Sequence, residues 1–207
     1  MAAALLALGQ GAHASHGSAA VLHQLSLLRV PEVIQVSVPT GPTRRRAGVH
    51  VRVAGLPAGH RMRTPDGLAC TTLGRTVVDL ARTAPFKDAV VAADSALHSG
   101  RVTVPELSGH LEEQWGWPGS RRAQRVLTFA ESRTESPGES LTRVLLTELG
   151  YAVVEPQAVV RGLSGRAYRV DFLLGRVVVE FDGKVKYADE SMRGTRTPTE
   201  VVLAEKR

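Results

Sequence analysis

Near the C-terminus, two short runs rich in Val, Leu and Phe flank Gly175-Arg176, and this arrangement leaves few folds open. Apolar runs of this length bounded by glycine read as strands. A two-residue link with glycine at its first position suits a tight hairpin. In that register Leu174 faces Val177 and Asp171 lies opposite Glu180. Residues two apart on a strand share a face, so Asp182 joins them. Like charges set opposite one another destabilise a sheet, and unpartnered carboxylates in an apolar setting are costly. A divalent cation would relieve both penalties. The alternative is a half-exposed edge whose acids sit in water and pair with Arg169, Lys184 and Lys186. The unbroken Val177-Val178-Val179 argues for a strand covered on both faces, and so for the metal reading.

A helix precedes the hairpin. Ser136 is its expected N-cap, Pro137 its first helical residue, and Glu139 stands three past the cap. Leu141, Val144, Leu145 and Leu149 form its apolar stripe, and Gly150 its stop. Glu139 is open to two roles, a capping-box glutamate or a fourth acid of the metal site. A strand is expected near Tyr151–Val154.

The order of helix Glu139, hairpin Asp171 and Glu180-Phe181-Asp182-Gly183 resembles the PD-(D/E)xK nuclease superfamily. The similarity is greatest to its branch related to very-short-patch-repair endonucleases, and it covers residues 133–207. The resemblance implies a mixed sheet flanked by helices, with Mg²⁺ or Mn²⁺ held by Asp171 and Glu180 for phosphodiester hydrolysis in DNA. Hard carboxylate oxygens suit such an ion, which at a phosphodiester activates water and stabilises developing charge. The family's ExK lysine is replaced here by Asp182, and the histidine found further on in related branches is replaced by Lys186. Lys184 or Lys186 is then the candidate catalytic cation. An unperturbed lysine is protonated at neutral pH, so neither substitutes for histidine as a base without a large shift.

The rest of the chain is consistent with an anionic partner. Its 207 residues are 43% hydrophobic but only 4% aromatic, so the core must be aliphatic and alanine-rich. Net charge is +6, with a pI near 10.1, which favours nucleic acid. The single Cys70 rules out an internal disulfide and fits a reducing compartment, so a cytoplasmic location is expected. No run approaches the ~18 apolar residues of a membrane span, and no membrane partner is expected.

Residues 1–132 read as a mixed helix and strand region, which makes the whole chain an α/β (α+β) protein. Helices are expected over Ala2–Leu8, from His16 to about Leu25 with Ser15 as cap, and over Lys87–Ser99, Pro105–Leu111 and Ser120–Ala130. Val33–Val38 and Val49–Val53 read as strands joined by a cationic loop containing Arg44, Arg45 and Arg46. From Val33 through Arg63 there are six arginines and no acid, so Arg44–Arg46 are the candidate phosphate contacts. His13, His16 and His23 lack accompanying cysteine or carboxylate and read as surface or capping residues rather than ligands. Asp79 and Asp94, set in apolar helical stretches, read as structural, with Arg75 or Arg82 as partners. Ser15-His16-Gly17-Ser18-Ala19-Ala20, Cys70-Thr71-Thr72 with Thr76-Val77-Val78-Asp79-Leu80-Ala81, and Ala93-Asp94-Ser95-Ala96-Leu97 resemble AbiEi-type antitoxins of abortive-infection toxin–antitoxin systems. That family normally carries a winged helix–turn–helix before this segment, and the nuclease branch a longer closing helix, so the expectation is either a truncated sequence or a protein that has lost both ends. Two functions follow as expectations: a metal-dependent DNA endonuclease of repair, restriction or defence type, or a non-catalytic nucleic-acid-binding or antitoxin-like regulator with a toxin partner.

Overall fold

The computed structural model describes residues 1–9, 11–46, 48–151 and 154–182. The predicted Lys184 and Lys186 lie outside the described residues. The chain begins with α1 (Ala2–Leu8), β1 (His13–Ala14) and α2 (His16–Leu22). Strands β2 (Ile34–Val38), β3 (Arg44–Arg46), β4 (Val49–Val53), β5 (Arg61–Arg63) and β6 (Ala69–Thr71) follow. Then come α3 (Leu73–Thr83), α4 (Phe86–His98), α5 (Val104–Glu112), α6 (Ser120–Phe129) and α7 (Pro137–Glu148). The described chain ends with β7 (Glu155–Arg161), β8 (Ala167–Leu174) and β9 (Val177–Val179).

The expected α/β class holds. A six-stranded mixed sheet has the order β3-β4-β2-β1-β6-β5, and a separate three-stranded sheet has the order β7-β8-β9. In the first, β2 runs parallel to β4 and β1 parallel to β6, with antiparallel pairs elsewhere. The second sheet is antiparallel throughout its described strands, where the nuclease resemblance implied a mixed one.

Most of the core is helical. α3 is buried from Gly74 through Arg82, and α4 packs against it through Val90, Ala93 and Ala96. Alanine lets helix backbones approach closely, so the scarcity of aromatics costs no packing density. Gly74 is needed because a Cβ there would run into the His110 ring. Val144 of α7 sits in the same cluster as α3, α4 and α6. The first helix of the segment expected as a second domain is thus packed into the main core.

Buried charge is paired within this core. On α3, Asp79 holds Arg75 at 2.9 Å and Arg82 at 3.1 Å, as the sequence suggested. Asp94 instead takes Arg143 of α7, at 2.8 Å. Among the described residues, no helix is long and apolar enough to cross a membrane.

Three expectations are corrected. Arg44–Arg46 form strand β3, paired with β4, because backbone hydrogen bonding is indifferent to which side chains the strand carries. Val177 and Val178 are 60% and 45% exposed, so β9 is not covered on both faces among the described residues. The strand expected near Tyr151–Val154 begins at Glu155 instead.

Candidate metal and nucleic-acid site

The hairpin has the register read from its turn. Leu174 pairs with Val177 and Leu173 with Val178; one step further along the same face stand Asp171 and Glu180. Gly175, at φ +60°, makes the turn possible. The Asp171 carboxylate accepts a hydrogen bond from the Phe181 N–H at 2.7 Å, which holds the chain leaving β9 against β8. The Glu180 pKa is raised, first by partial desolvation, then by the adjacent Asp171 carboxylate, with Glu139 adding to the effect.

Glu139, on α7, acts on Glu180 through charge, but among the described residues no three of Glu139, Asp171, Glu180 and Asp182 bring ligand atoms within 4.8 Å of one another. Glu139 is 7% exposed. Its carboxylate accepts from Ser136 Oγ at 2.8 Å, Glu135 N at 3.0 Å and Gln157 Nε2 at 2.8 Å. Ser136 Oγ in turn accepts from Glu139 N at 3.2 Å, so the expected cap is present. Glu139 closes the helix start, and its charge also raises the Glu180 pKa. Phe181 packs so closely on the first turn of α7 that a Cβ at Gly138 would meet its ring. That contact brings helix and hairpin together.

The alternative reading had the acids on a half-exposed edge with Arg169, Lys184 and Lys186 as counterions; Glu180 and Asp182 are exposed as it expects, and the two lysines lie outside the described residues. Arg169 is engaged elsewhere, in a two-bond fork to Glu135 at 2.7 and 3.1 Å. Among the described residues, neither Asp171 nor Glu180 makes an ion pair. Asp182 is exposed and stands past the hairpin.

Sequence reasoning missed Gln157. It lies on β7 at the position flanked by the Pro156–Phe172 and Ala158–Val170 pairs, beside Asp171 on the neighbouring strand. Its φ of +53° is rare for a residue with a side chain. Such strain persists only where the surroundings impose it, and it clusters at functional sites. No local signal in the sequence marks it; its side chain bonds Glu139, eighteen positions away.

A second group was also missed. His60, His110 and Glu113 place one ligand atom each within 4.8 Å of one another. Only the i, i+3 spacing of His110 and Glu113 around the end of α5 was legible. His60 Nδ1 accepts from Arg75 Nη1 at 2.8 Å, which leaves the proton on Nε2, directed at the Glu113 carboxylate. A metal at Nε2 would have to displace that proton beside a buried guanidinium. Charge favours the hydrogen-bonded arrangement over an ion.

His13, His16 and His23 do not converge. They contact Gly11 O, Ser15 Oγ and Thr71 O respectively. In the cationic strand, Arg45 lies opposite His50 and Arg44 opposite Val51, so these two arginines address opposite faces of the sheet.

No family model matches the chain. It is similar to two curated Mycobacterium tuberculosis proteins, the uncharacterized protein MT2308 of strain CDC 1551 / Oshkosh and the uncharacterized protein Rv2248 of strain ATCC 25618 / H37Rv. Each is 34% identical over 124 residues, which is 60% of this chain and 44% of the relative. The chain thus spans less than half the length of the curated relatives it matches. Among solved structures, the RV2827C protein from Mycobacterium tuberculosis aligns with a TM-score of 0.41 and 19% identity, over 75% of this chain and 61% of that one.

Proposed function

We propose that the chain is a metal-dependent endonuclease-like protein that acts on DNA phosphodiesters, with Mg²⁺ or Mn²⁺ taken by Asp171 and Glu180. The observation that carries this reading is the apposition of Asp171 and Glu180 without a counterion among the described residues, with Glu139 close enough to raise the Glu180 pKa further. Two hard carboxylate oxygens held close together, one with a raised proton affinity, are a donor pair of the kind Mg²⁺ takes, with water and substrate phosphate completing its shell. When bound, the ion would supply Lewis-acid polarisation of the scissile phosphate and of attacking water.

The chain's own residues prepare the place. Phe181 N–H orients the Asp171 carboxylate. Gln157 and Ser136 hold the Glu139 carboxylate, whose charge adds to that felt by Glu180. The net charge of +6 favours approach to a polyanion. Lys184 and Lys186 remain the candidates for transition-state neutralisation.

Two measurements test the reading. Wild-type protein with Mg²⁺ or Mn²⁺ nicks supercoiled DNA, and Asp171→Ala does not; intact DNA in both cases rejects the enzyme. Second, Glu180→Gln melts at the same or a higher temperature than wild type in chelator, because like-charge repulsion is relieved. It also loses the increase in melting temperature that added Mg²⁺ confers on wild type, since a ligand stabilises only the state that binds it. A variant strongly destabilised in chelator would make Glu180 a structural ion-pair partner. Asp182 at the ExK lysine position favours a second reading, a regulator or antitoxin-like protein that binds nucleic acid or a toxin without cleaving. Mg²⁺-independent DNA binding that ignores Asp171→Ala supports that reading.

A further inference from the structure

One face of the six-stranded sheet is built against the usual rule. Strand register puts Gln35 beside His50 and Ser37 beside Arg52, with Arg45 beyond His50. These five polar residues share a face. Ile34, Val36, Val38 and Val49, on the other face, pack with Leu5 and Leu8 of α1. The polar face meets α2, where Gly17 N donates to Gln35 Oε1 and Gln35 N donates to Ser18 Oγ, both at 2.8 Å.

Between them lies a cavity of 270 Å³ lined by His16, Gln35, Arg29 and Arg52. It shares Arg29, Gln35 and Arg52 with a second cavity of 490 Å³, which adds Arg45 and His50. Together they fall in the range of small-ligand sites, about 300–1,000 Å³.

The cleft carries three arginines against two carboxylates, Glu32 and Asp88, a net positive lining. Among the described residues, Arg29, Arg45 and Arg52 make no ion pair. Among the described residues neither Glu32 nor Asp88 pairs with these arginines. The buried carboxylate nearby, Asp79, is already shared by Arg75 and Arg82. Arg52 Nε is buried without a hydrogen-bond partner, and so is the hydroxyl of Ser37, directly across from it. Burial and Arg45 both push the Arg52 pKa down, while burial, Arg52 and Arg45 push down that of His50. An orphaned buried donor beside a second guanidinium is costly unless something supplies acceptors. His16, at the wall, holds φ +51°, a strained conformation of the kind that clusters at ligand sites.

We infer that this cleft binds a phosphoryl group, with Arg52 and Arg45 as its charged ligands. Guanidinium forks match phosphate oxygens in geometry and charge, and an anion here would relieve both the Arg45–Arg52 repulsion and the unmet Nε. Of the three arginines of β3, the register commits Arg45 to this role and leaves Arg44 on the other face. The site is independent of the nuclease reading, since it lies on the other sheet. The group could belong to a small phosphorylated molecule or to a nucleic-acid backbone.

The test is a titration with inorganic phosphate, followed by NMR at the His50 ring and Arg52 Nε, on wild type, Arg45→Gln, Arg52→Gln and Arg52→Lys. Wild type shows saturable shifts, and each glutamine variant weakens binding roughly tenfold or more, as loss of a charge-assisted contact implies. Arg166→Gln, in the turn between β7 and β8, leaves it unchanged. Arg45 is exposed, so its variant reports on binding even if an Arg52 variant folds poorly. A short DNA duplex that displaces phosphate identifies a backbone source, and in that case Arg45→Gln lowers the salt slope by roughly 0.9. Phosphate retained in the presence of duplex identifies a small phosphorylated molecule. Absence of shifts in wild type, or wild-type affinity in either Arg45→Gln or Arg52→Gln, overturns the assignment.

Discussion

Asp94→Ala is expected to destabilise the protein by about 3–5 kcal/mol, the cost of stranding a buried charge. Asp94 is 1% exposed on α4. Its carboxylate accepts from Arg143 Nη2 at 2.8 and 3.1 Å, Glu131 N at 2.8 Å and Thr134 Oγ1 at 3.1 Å. It therefore ties α4 both to α7 and to the segment that leads into it. Removal leaves the Arg143 guanidinium 7% exposed with no counterion, and its Nε already lacks a partner. Arg143 would keep its bond to Phe129 O and its stack on the Phe129 ring, which do not neutralise it. The double variant Asp94→Ala, Arg143→Met should recover part of the loss, because apolar replacement of both members removes the stranded charge. Urea unfolding of the four proteins in this cycle measures the coupling. A single-variant loss below about 1 kcal/mol, or strict additivity, would show that the pair does not hold α7 in place.

Acidification should be the second large effect. His16 is 5% exposed, and its pKa is lowered to about 4. Desolvation is the main cause; Arg52, Arg82 and Arg75 lower it further, and Asp79 partly offsets them. An unfolded histidine titrates near 6.5, so on acidification the unfolded chain takes the proton first. Stability is therefore full above about pH 6.5 and falls as the pH drops towards 4, by up to ~1.4 kcal/mol per pH unit and roughly 3 kcal/mol in all. His23, His50 and His110 are shifted the same way, chiefly by burial, and add to the slope. His16→Asn isolates the contribution, because asparagine tolerates the left-handed φ of +51° without titrating. Urea midpoints at several pH values between 4 and 7 should give a visibly flatter line for His16→Asn. Parallel lines would mean that His16 is not the group that takes up the proton.

The two effects differ in how far the sequence foretold them. Asp94 was readable as a structural acid within an apolar helix, but its partner was not. Arg143 lies 49 positions away, and pairing over that distance depends on how α7 crosses α4. The burial of His16 was hidden for the same reason. Three histidines with no cysteine or carboxylate nearby look alike as text, and only tertiary packing buries two of them, His16 and His23.

What the sequence determined by itself is local. The glycine of Gly175-Arg176 and the two-residue period of a strand were enough to set Asp171 opposite Glu180. Ser136, Pro137 and Glu139 marked the start of α7, and the lack of aromatics required an alanine-rich core. Each depends on chain stereochemistry or composition within a few residues. Tertiary structure decided what involves distant partners. It made a strand of Arg44–Arg46, because β4 offered an edge to pair with. It left Val177 and Val178 exposed, because coverage depends on what packs over a strand and not on its own residues. It also brought Gln157 to Glu139, and gathered Arg45, His50 and Arg52 on one sheet face above α2. Side-chain alternation is written in a strand, but the faces of neighbouring strands align only through their hydrogen-bond register.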